Sequence, residues 1–125
     1  MNMQDTLKDA QLAVRDFMVK HNNLATGHEL VPGRMEMIRI GLIVEETAEL
    51  MEARTRLARA DALGDLLYVV LGAATFYDID IAPIFWEIHR SNMTKAVSSD
   101  PRVKDKGDSY VAPNLAPLIK RGLSD

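Results

Sequence analysis

The sequence predicts an all-α fold, a four-helix bundle followed by a C-terminal tail. Apolar residues recur at helical spacing in four stretches, breaker residues separate those stretches, and no stretch reads convincingly as a β-strand. The composition, with 47% hydrophobic and 26% charged residues, is typical of a globular chain. A length of 125 residues fits one domain, for which we expect a core over residues 3–98 and a tail over residues 99–125.

The first two predicted helices each carry an apolar stripe that leaves the opposite face polar. The second helix runs from about residue 34 to about residue 57, after a break that Pro32 and Gly33 close. The stripes consist of Leu7, Leu12, Val14, Phe17 and Met18 in the first helix and of Ile38, Leu42, Ile43, Leu50 and Ala53 in the second. We expect Phe17 to be a core residue.

The third predicted helix, residues 61–77, is apolar almost all round, so we expect it to lie at the centre of the bundle. The fourth covers about residues 82–97, with Pro83 in its first turn, where proline is tolerated. A short helix near residues 116–121 is predicted within the tail.

Composition excludes several classes of protein. Because the chain has no cysteine, disulfide scaffolds, thiolate metal sites and cysteine nucleophiles are ruled out. Its longest apolar run is too short for a bilayer, which needs about 20 residues, and the N-terminus lacks the pattern of a signal peptide. A net charge of −3 argues against nucleic-acid binding. We therefore expect a cytoplasmic protein without nucleic-acid or membrane partners.

Five acidic residues in the second and third helices are the most informative feature. Glu45, Glu46 and Glu49 lie close together on one helix, and Glu45 and Glu49 are one turn apart. Asp61 and Asp65 repeat the one-turn spacing on the next helix. If the two helices pack antiparallel, as their short connection suggests, the acidic patches meet.

Crowded carboxylates repel one another, and a divalent cation is the simplest remedy. Oxygen ligands without cysteine or clustered histidine favour Mg²⁺, with Mn²⁺ as a substitute. The Glu-x-x-His motif of di-iron bundles is missing. A solvated helix face is the alternative for an isolated EExxE string, but apolar residues flank the glutamates, and Asp65 begins the apolar run of the third helix.

The ordered motifs resemble the all-α nucleoside triphosphate pyrophosphohydrolase superfamily, which includes MazG-like proteins, dimeric dUTPases and phosphoribosyl-ATP pyrophosphohydrolase. The resemblance covers roughly residues 10–120. Four segments carry it: RIGLIVEE at residues 39–46, DALGDLLYVVLG at residues 61–72, HRSNMTK at residues 89–95, and the tail from Lys106-Gly107 through Tyr110, Pro113 and Leu115.

The resemblance implies Mg²⁺-dependent hydrolysis of a nucleoside triphosphate between the α and β phosphorus atoms, which yields a monophosphate and pyrophosphate. It makes Glu45, Glu49 and Asp65 the firmest metal ligands. Much of the superfamily has an acid three residues before the aspartate of the third helix, where this chain has Ala62. The metal role therefore passes to Asp61, four residues before Asp65.

Further roles follow from the chemistry and the resemblance together. Glu46 can bridge a second ion or accept the proton of the attacking water, and Glu46 and Glu49 are the candidate catalytic residues. Asn92 and Lys95 share a face of the fourth helix and are candidate substrate ligands, although a lysine there also suits a helix C-terminus. Lys106 and Tyr110 in the tail are further candidates if the tail acts as a lid, and a solvated charged segment is the alternative. The resemblance also implies base-recognising residues in the first helix, where Phe17 and His21 are one turn apart, although a core position for Phe17 is the preferred interpretation.

We expect a homodimer or a dimer of dimers. Adjacent aromatics at Phe85 and Trp86 exceed what one core face needs, and the family's sites are typically completed by dimerisation. Two alternatives stay open: a non-catalytic helical protein that binds nucleotides, which Ala62 favours, and a purely structural bundle. The base of the nucleotide is not determined, and clearance of noncanonical or deoxynucleotides from the nucleotide pool is the expected role.

Overall fold

The computed structural model describes residues 3–21, 33–96 and 107–123. These residues form four α-helices and one turn of 3₁₀ helix, and they contain no β-strand. The all-α prediction is therefore confirmed. The helices are α1 (Met3–Lys20), α2 (Arg34–Glu52), α3 (Arg56–Phe76) and α4 (Ile81–Asn92), and the 3₁₀ turn is Ala116–Leu118.

The junction between α2 and α3 differs from the prediction. α2 ends at Glu52 rather than near residue 57, and α3 begins at Arg56 rather than at Asp61. The reason is Thr55, whose side-chain oxygen accepts a hydrogen bond from the backbone N–H of Ala58 at 3.0 Å. This N-cap satisfies a donor in the first turn and starts α3 five residues early.

α3 is the central helix, because both α1 and α2 pack against it. Its burial is uneven along its length, which the apolar pattern of the helix does not predict. All side chains from Leu71 to Phe76 are buried, whereas the N-terminal half is largely exposed, with Leu57 at 81% of its maximum. The described residues thus cover mainly the C-terminal half of the helix.

The core lies where α1 crosses the C-terminal half of α3. Its buried residues are Val14, Met18, Leu71 and Phe76. Gln11 ties α1 to the turn that follows α3: its Nε2 donates to the carbonyl of Ile79 at 2.7 Å, and its Oε1 accepts from the N–H of Ile81 at 3.0 Å. α4 therefore begins in a fixed position against α1.

The C-terminal segment, residues 107–123, returns to the same turn between α3 and α4. Asp78 adopts a left-handed backbone conformation, with φ of 55°, and its carboxylate accepts a hydrogen bond from the N–H of Leu123 at 3.0 Å. Leu123 is buried, and Gly122 lies so close to the Asp78 carboxylate that a Cβ at that position would overlap it.

Candidate active site

Three of the five predicted acids converge where α2 and α3 lie side by side. One carboxylate oxygen from each of Glu46, Glu49 and Asp65 lies within 4.8 Å of the other two. Glu46 and Glu49 share a face of α2 because they are three residues apart. The three-residue connection from Ala53 to Thr55 then brings α3 back alongside α2, which places Asp65 opposite that face. We call Glu46, Glu49 and Asp65 the acidic group.

Glu46 is the most strongly perturbed member of the acidic group. Partial burial of its side chain, the nearby charges of Glu49 and Asp65, and a hydrogen bond with Glu49 all raise the pKa of Glu46, and the charge of Glu45 adds to the effect. Its Oε2 is buried and has no hydrogen-bond partner among the described residues. Burying a carboxylate oxygen without a partner is unfavourable, so the arrangement calls for a cation.

A magnesium ion fits this donor set. The group offers three carboxylates and neither histidine nor sulfur, and hard oxygen donors are the ligands that Mg²⁺ and Mn²⁺ prefer. Because Mg²⁺ keeps several waters, three protein oxygens leave coordination positions for water or phosphate. The unpartnered Glu46 oxygen is the atom that a bound ion would satisfy.

The other two predicted ligands lie outside the acidic group. Glu45 and Asp61 are both exposed, and neither takes part in the convergence within 4.8 Å. Glu45 still acts on the group through its charge, which helps to raise the pKa of Glu46. Ala62, the departure from the superfamily pattern, is buried. Asp65 itself is exposed, because it lies on the half of α3 that one copy of the chain leaves uncovered.

The predicted substrate ligands form a second group at the C-terminal end of α4 and in the C-terminal segment. α4 ends at Asn92 rather than near residue 97, because the N–H groups of Thr94 and Lys95 donate to carbonyls three residues back instead of four, so Lys95 lies just beyond the helix. Lys95 Nζ donates a hydrogen bond to Asn92 Oδ1 at 2.8 Å and lies 5.8 Å from the centre of the Tyr110 ring. Sequence spacing predicted the pairing of Asn92 with Lys95, and the fold adds Tyr110. Lys106 lies outside the described residues. The acidic group is built by α2 and α3, whereas α4 packs against α1.

Comparison with known families identifies the chain. The family model of phosphoribosyl-ATP pyrophosphohydrolase matches residues 20–92, more than half of the chain. The chain belongs to the phosphoribosyl-ATP pyrophosphohydrolase family. Neither the curated proteins nor the solved structures provide a match.

Membership in the phosphoribosyl-ATP pyrophosphohydrolase family confirms the superfamily expected from the motifs and assigns the chain to the nucleotide pyrophosphohydrolases. The matched residues include α2, α3 and α4, and therefore the whole acidic group. Lys95 and Tyr110 lie beyond the matched residues.

An aromatic group on α1 and α3 was not foreseen. The ring centre of Phe17 lies 4.4 Å from that of His21 and 5.7 Å from that of Tyr68, in an edge-to-face arrangement with the latter. Phe17 is 45% exposed, so its prediction as a core residue was wrong. Tyr68 follows Asp65 by about one turn of α3, so these two side chains lie on the same side of that helix. Phe17 and His21 are one turn apart in the sequence, but their contact with Tyr68 needs the packing of α1 on α3.

No single described helix is long and apolar enough to cross a membrane. α3 and α4 taken together reach that length and composition, but the chain bends by 113° between them.

Proposed function

We propose that this protein hydrolyses a nucleoside or deoxynucleoside triphosphate between the α and β phosphorus atoms, with Mg²⁺ as the cofactor and a monophosphate and pyrophosphate as the products. One observation carries the proposal: Glu46, Glu49 and Asp65 converge within the stretch that matches a pyrophosphohydrolase family. Clearance of noncanonical nucleotides from the pool is the proposed role. The cytoplasmic location expected from the sequence stays a prediction.

The acidic group supplies the metal ligands in this proposal. Glu46, Glu49 and Asp65 would hold Mg²⁺, or Mn²⁺ in its place, with Glu45 and Asp61 available for a second ion or for ligation through water. A bound ion neutralises phosphate charge and lowers the pKa of a coordinated water. The Oε2 atom of Glu46 supports this assignment. It is a buried oxygen that lacks a hydrogen-bond partner among the described residues and that can coordinate a cation.

Glu46 and Glu49 are the proposed catalytic residues. The hydrogen bond between Glu46 and Glu49 supports a proton-accepting role, because two adjacent carboxylates can share a proton taken from water. Glu49 would share that proton with Glu46 while ligating the metal. The proposal thus gives metal binding and proton transfer to neighbouring carboxylates of the acidic group.

The substrate ligands are proposed from the second group. The Lys95 ammonium is held by an amide oxygen and lies near an aromatic ring, both uncharged, and it remains able to bind a phosphate oxygen. Asn92 is proposed to contact sugar or phosphate, Tyr110 to contact the base, and Lys106 to contact phosphate. The aromatic group of Phe17, His21 and Tyr68 offers a second surface for the base, since aromatic rings stack on bases of every sequence.

A homodimer or a dimer of dimers is proposed as the working form. Large apolar side chains are exposed along α2 and α3, including Met51 at 73% and Leu57 at 81%, and along α4, including Phe85 at 51%. Exposed apolar surface of this extent marks association sites in proteins of this size. Light scattering coupled to size-exclusion chromatography tests this point, and a monomer at micromolar concentration would contradict it.

The test of the reaction is a substrate panel. The protein is incubated with Mg²⁺ and each of the common and noncanonical nucleoside triphosphates, with phosphoribosyl-ATP included, and the products are separated by chromatography. We expect monophosphate and pyrophosphate from at least one triphosphate, lost in Glu49→Gln. Asp9→Asn, which neutralises an exposed carboxylate on α1, is the control and should retain activity.

Other outcomes separate the alternatives. Diphosphate with inorganic phosphate would contradict the proposed bond. If phosphoribosyl-ATP is the only compound of the panel that is hydrolysed, the substrate would be the one that gives the family its name, and not one of the other nucleoside triphosphates. Absence of turnover, with Mg²⁺ and nucleotide together still raising the melting temperature, would favour the non-catalytic nucleotide-binding protein, which the buried Ala62 supports.

A further inference from the structure

Hydrogen bonds hold the C-terminal segment against one face of α4 and the turn that follows it. Ser91 Oγ donates to the carbonyl of Val111 at 2.8 Å, and the N–H of Val111 donates to Thr94 Oγ1 at 2.8 Å. Ser109 Oγ donates to the carbonyl of Thr94 at 3.2 Å. The order of the contacts is reversed along the chain, so residues 109–114 run antiparallel to α4.

Glu87 fixes the far end of this contact. Its carboxylate accepts two hydrogen bonds from the guanidinium of Arg90, both at 2.7 Å, and one from the backbone N–H of Asn114 at 2.7 Å. Arg90 in turn donates to the carbonyl of Ala112 at 3.4 Å. A two-point contact with arginine fixes direction as well as distance, so the carboxylate is held in one orientation.

The electrostatics agree with this geometry. The hydrogen bonds from Arg90 and from the N–H of Asn114 lower the pKa of Glu87 to about 2. The side chain of Glu87 is 17% exposed, and that of Arg90 is 47% exposed. Glu87 is therefore ionised at every pH at which the protein would be assayed, and it keeps the Asn114 N–H as its partner.

The near end of the contact carries the proposed phosphate ligand. Tyr110 precedes the anchored Val111, and its ring lies beside the Lys95 ammonium, which also donates to Asn92. The position of the ring depends on residues 109–114, because the hydrogen bonds above hold the backbone on both sides of Tyr110 against α4 and the residues that follow it. A lysine side chain has several rotatable bonds, so these neighbours limit where its ammonium lies.

We infer that Glu87 is a positioning residue for nucleotide binding: by fastening residues 109–114 to α4, it holds the Tyr110 ring beside the Lys95 ammonium and so fixes where Lys95 meets a phosphate. The inference rests on the proposed function. Glu87 acts through Lys95 and Tyr110 rather than on the substrate, because its carboxylate is already occupied by the guanidinium of Arg90 and the N–H of Asn114. Its own carboxylate would repel a phosphate.

The experiment is a double-mutant cycle on the full chain. KM and kcat for the best triphosphate of the panel are measured for the wild type, Glu87→Ala, Lys95→Met and the double variant. We expect each single variant to raise KM by about five- to tenfold with kcat changed less than about twofold. The double variant should raise KM by clearly less than the product of the two single effects, because the part of the Glu87 effect that passes through Lys95 is already lost in Lys95→Met.

A second measurement reports directly on how firmly residues 109–114 are bound to α4. Amide hydrogen exchange at Val111 and Asn114 should be faster in Glu87→Ala, and Glu87→Gln, which keeps an oxygen to accept from Asn114, should restore part of the protection and part of the KM. If Glu87→Ala fails to fold, Glu87→Gln replaces it in the cycle. Asp9→Ala, which removes an exposed carboxylate from α1, is the control and should leave KM and exchange unchanged.

The outcomes separate this inference from the proposed function. If the wild type turns over a triphosphate and Glu87→Ala has the wild-type KM, or if the KM effects of the two single variants multiply in the double variant, the inference is wrong and the proposed function stands. If the wild type neither hydrolyses a triphosphate nor binds its α,β-methylene analogue in calorimetry, the proposed function fails and the inference fails with it.

Discussion

Glu46 and Glu87 are both partly buried glutamates on helices, yet their surroundings have opposite effects. Glu46 lies among carboxylates, which raise its pKa, and one of its buried oxygens has no partner among the described residues. Glu87 lies between a guanidinium and a backbone N–H, which lower its pKa to about 2. The first environment is unfavourable until something positive binds, whereas the second is satisfied by the chain itself. The difference is why we propose a ligand for Glu46 and a positioning role for Glu87.

The largest expected effect is on activity when the acidic group loses a member. Asp65→Asn keeps the shape of the side chain but removes a proposed metal ligand, and loss of a residue next to a ligand already costs 10–100-fold in typical metal sites, so we expect a loss of at least about 100-fold. Glu87→Gln should retain kcat. Steady-state rates at saturating Mg²⁺ measure both. Asp61→Asn should lose less than Asp65→Asn; an equal loss would show that the convergent three carboxylates are not the whole metal site.

The second prediction concerns metal and stability. Mg²⁺ at about 100 times its Kd should stabilise the protein by about 2.7 kcal/mol, because only the folded chain brings the acidic group together. The melting temperature should fall again when a chelator is added. Glu49→Gln should lose this response while Glu87→Gln keeps it, and a Mg²⁺ response of wild-type size in Glu49→Gln would place the ion elsewhere.

The third and smallest effect is the dependence of stability on pH. Without metal, the folded state raises the pKa of Glu46 above its ordinary value of 4.5, so the folded chain binds this proton more readily than the unfolded chain does. The contribution of Glu46 to the unfolding free energy should therefore increase as pH falls towards 4.5. Glu87 has a lowered pKa, so its contribution is complete above 4.5 and is lost as pH falls from 4.5 towards about 2.

Urea denaturation at several pH values measures the unfolding free energy and separates the contribution of Glu46 above pH 4.5 from that of Glu87 below it. Glu46→Gln should remove the rise above pH 4.5, and Glu87→Gln should reduce the fall below it. Saturating Mg²⁺ should also suppress the rise, since a bound cation keeps Glu46 ionised. A rise that persists in Glu46→Gln would assign it to another group.

Local pattern was sufficient for the helices and for the acids on them. Periodicity located all four helices, and the three-residue spacing of Glu46 and Glu49 is enough by itself to put them on one face of α2. The junction after α2 was missed because the Thr55 cap was not recognised, although a threonine three residues before Ala58 is visible in the sequence.

Contacts between distant residues required the tertiary structure. The convergence of Asp65 with the glutamates depends on how α3 packs on α2, and it selects three carboxylates from a set of five. The N–H of Asn114 donates to Glu87 from 27 residues away. Because every residue except proline has a backbone N–H, the sequence does not indicate which one will meet Glu87. The apolar residues of α3 predict that the segment is helical and lies at the centre of the bundle. Which half of the helix is buried depends on where α1 crosses it. Spacing fixes the face of a helix on which a side chain lies, whereas packing fixes what that face meets.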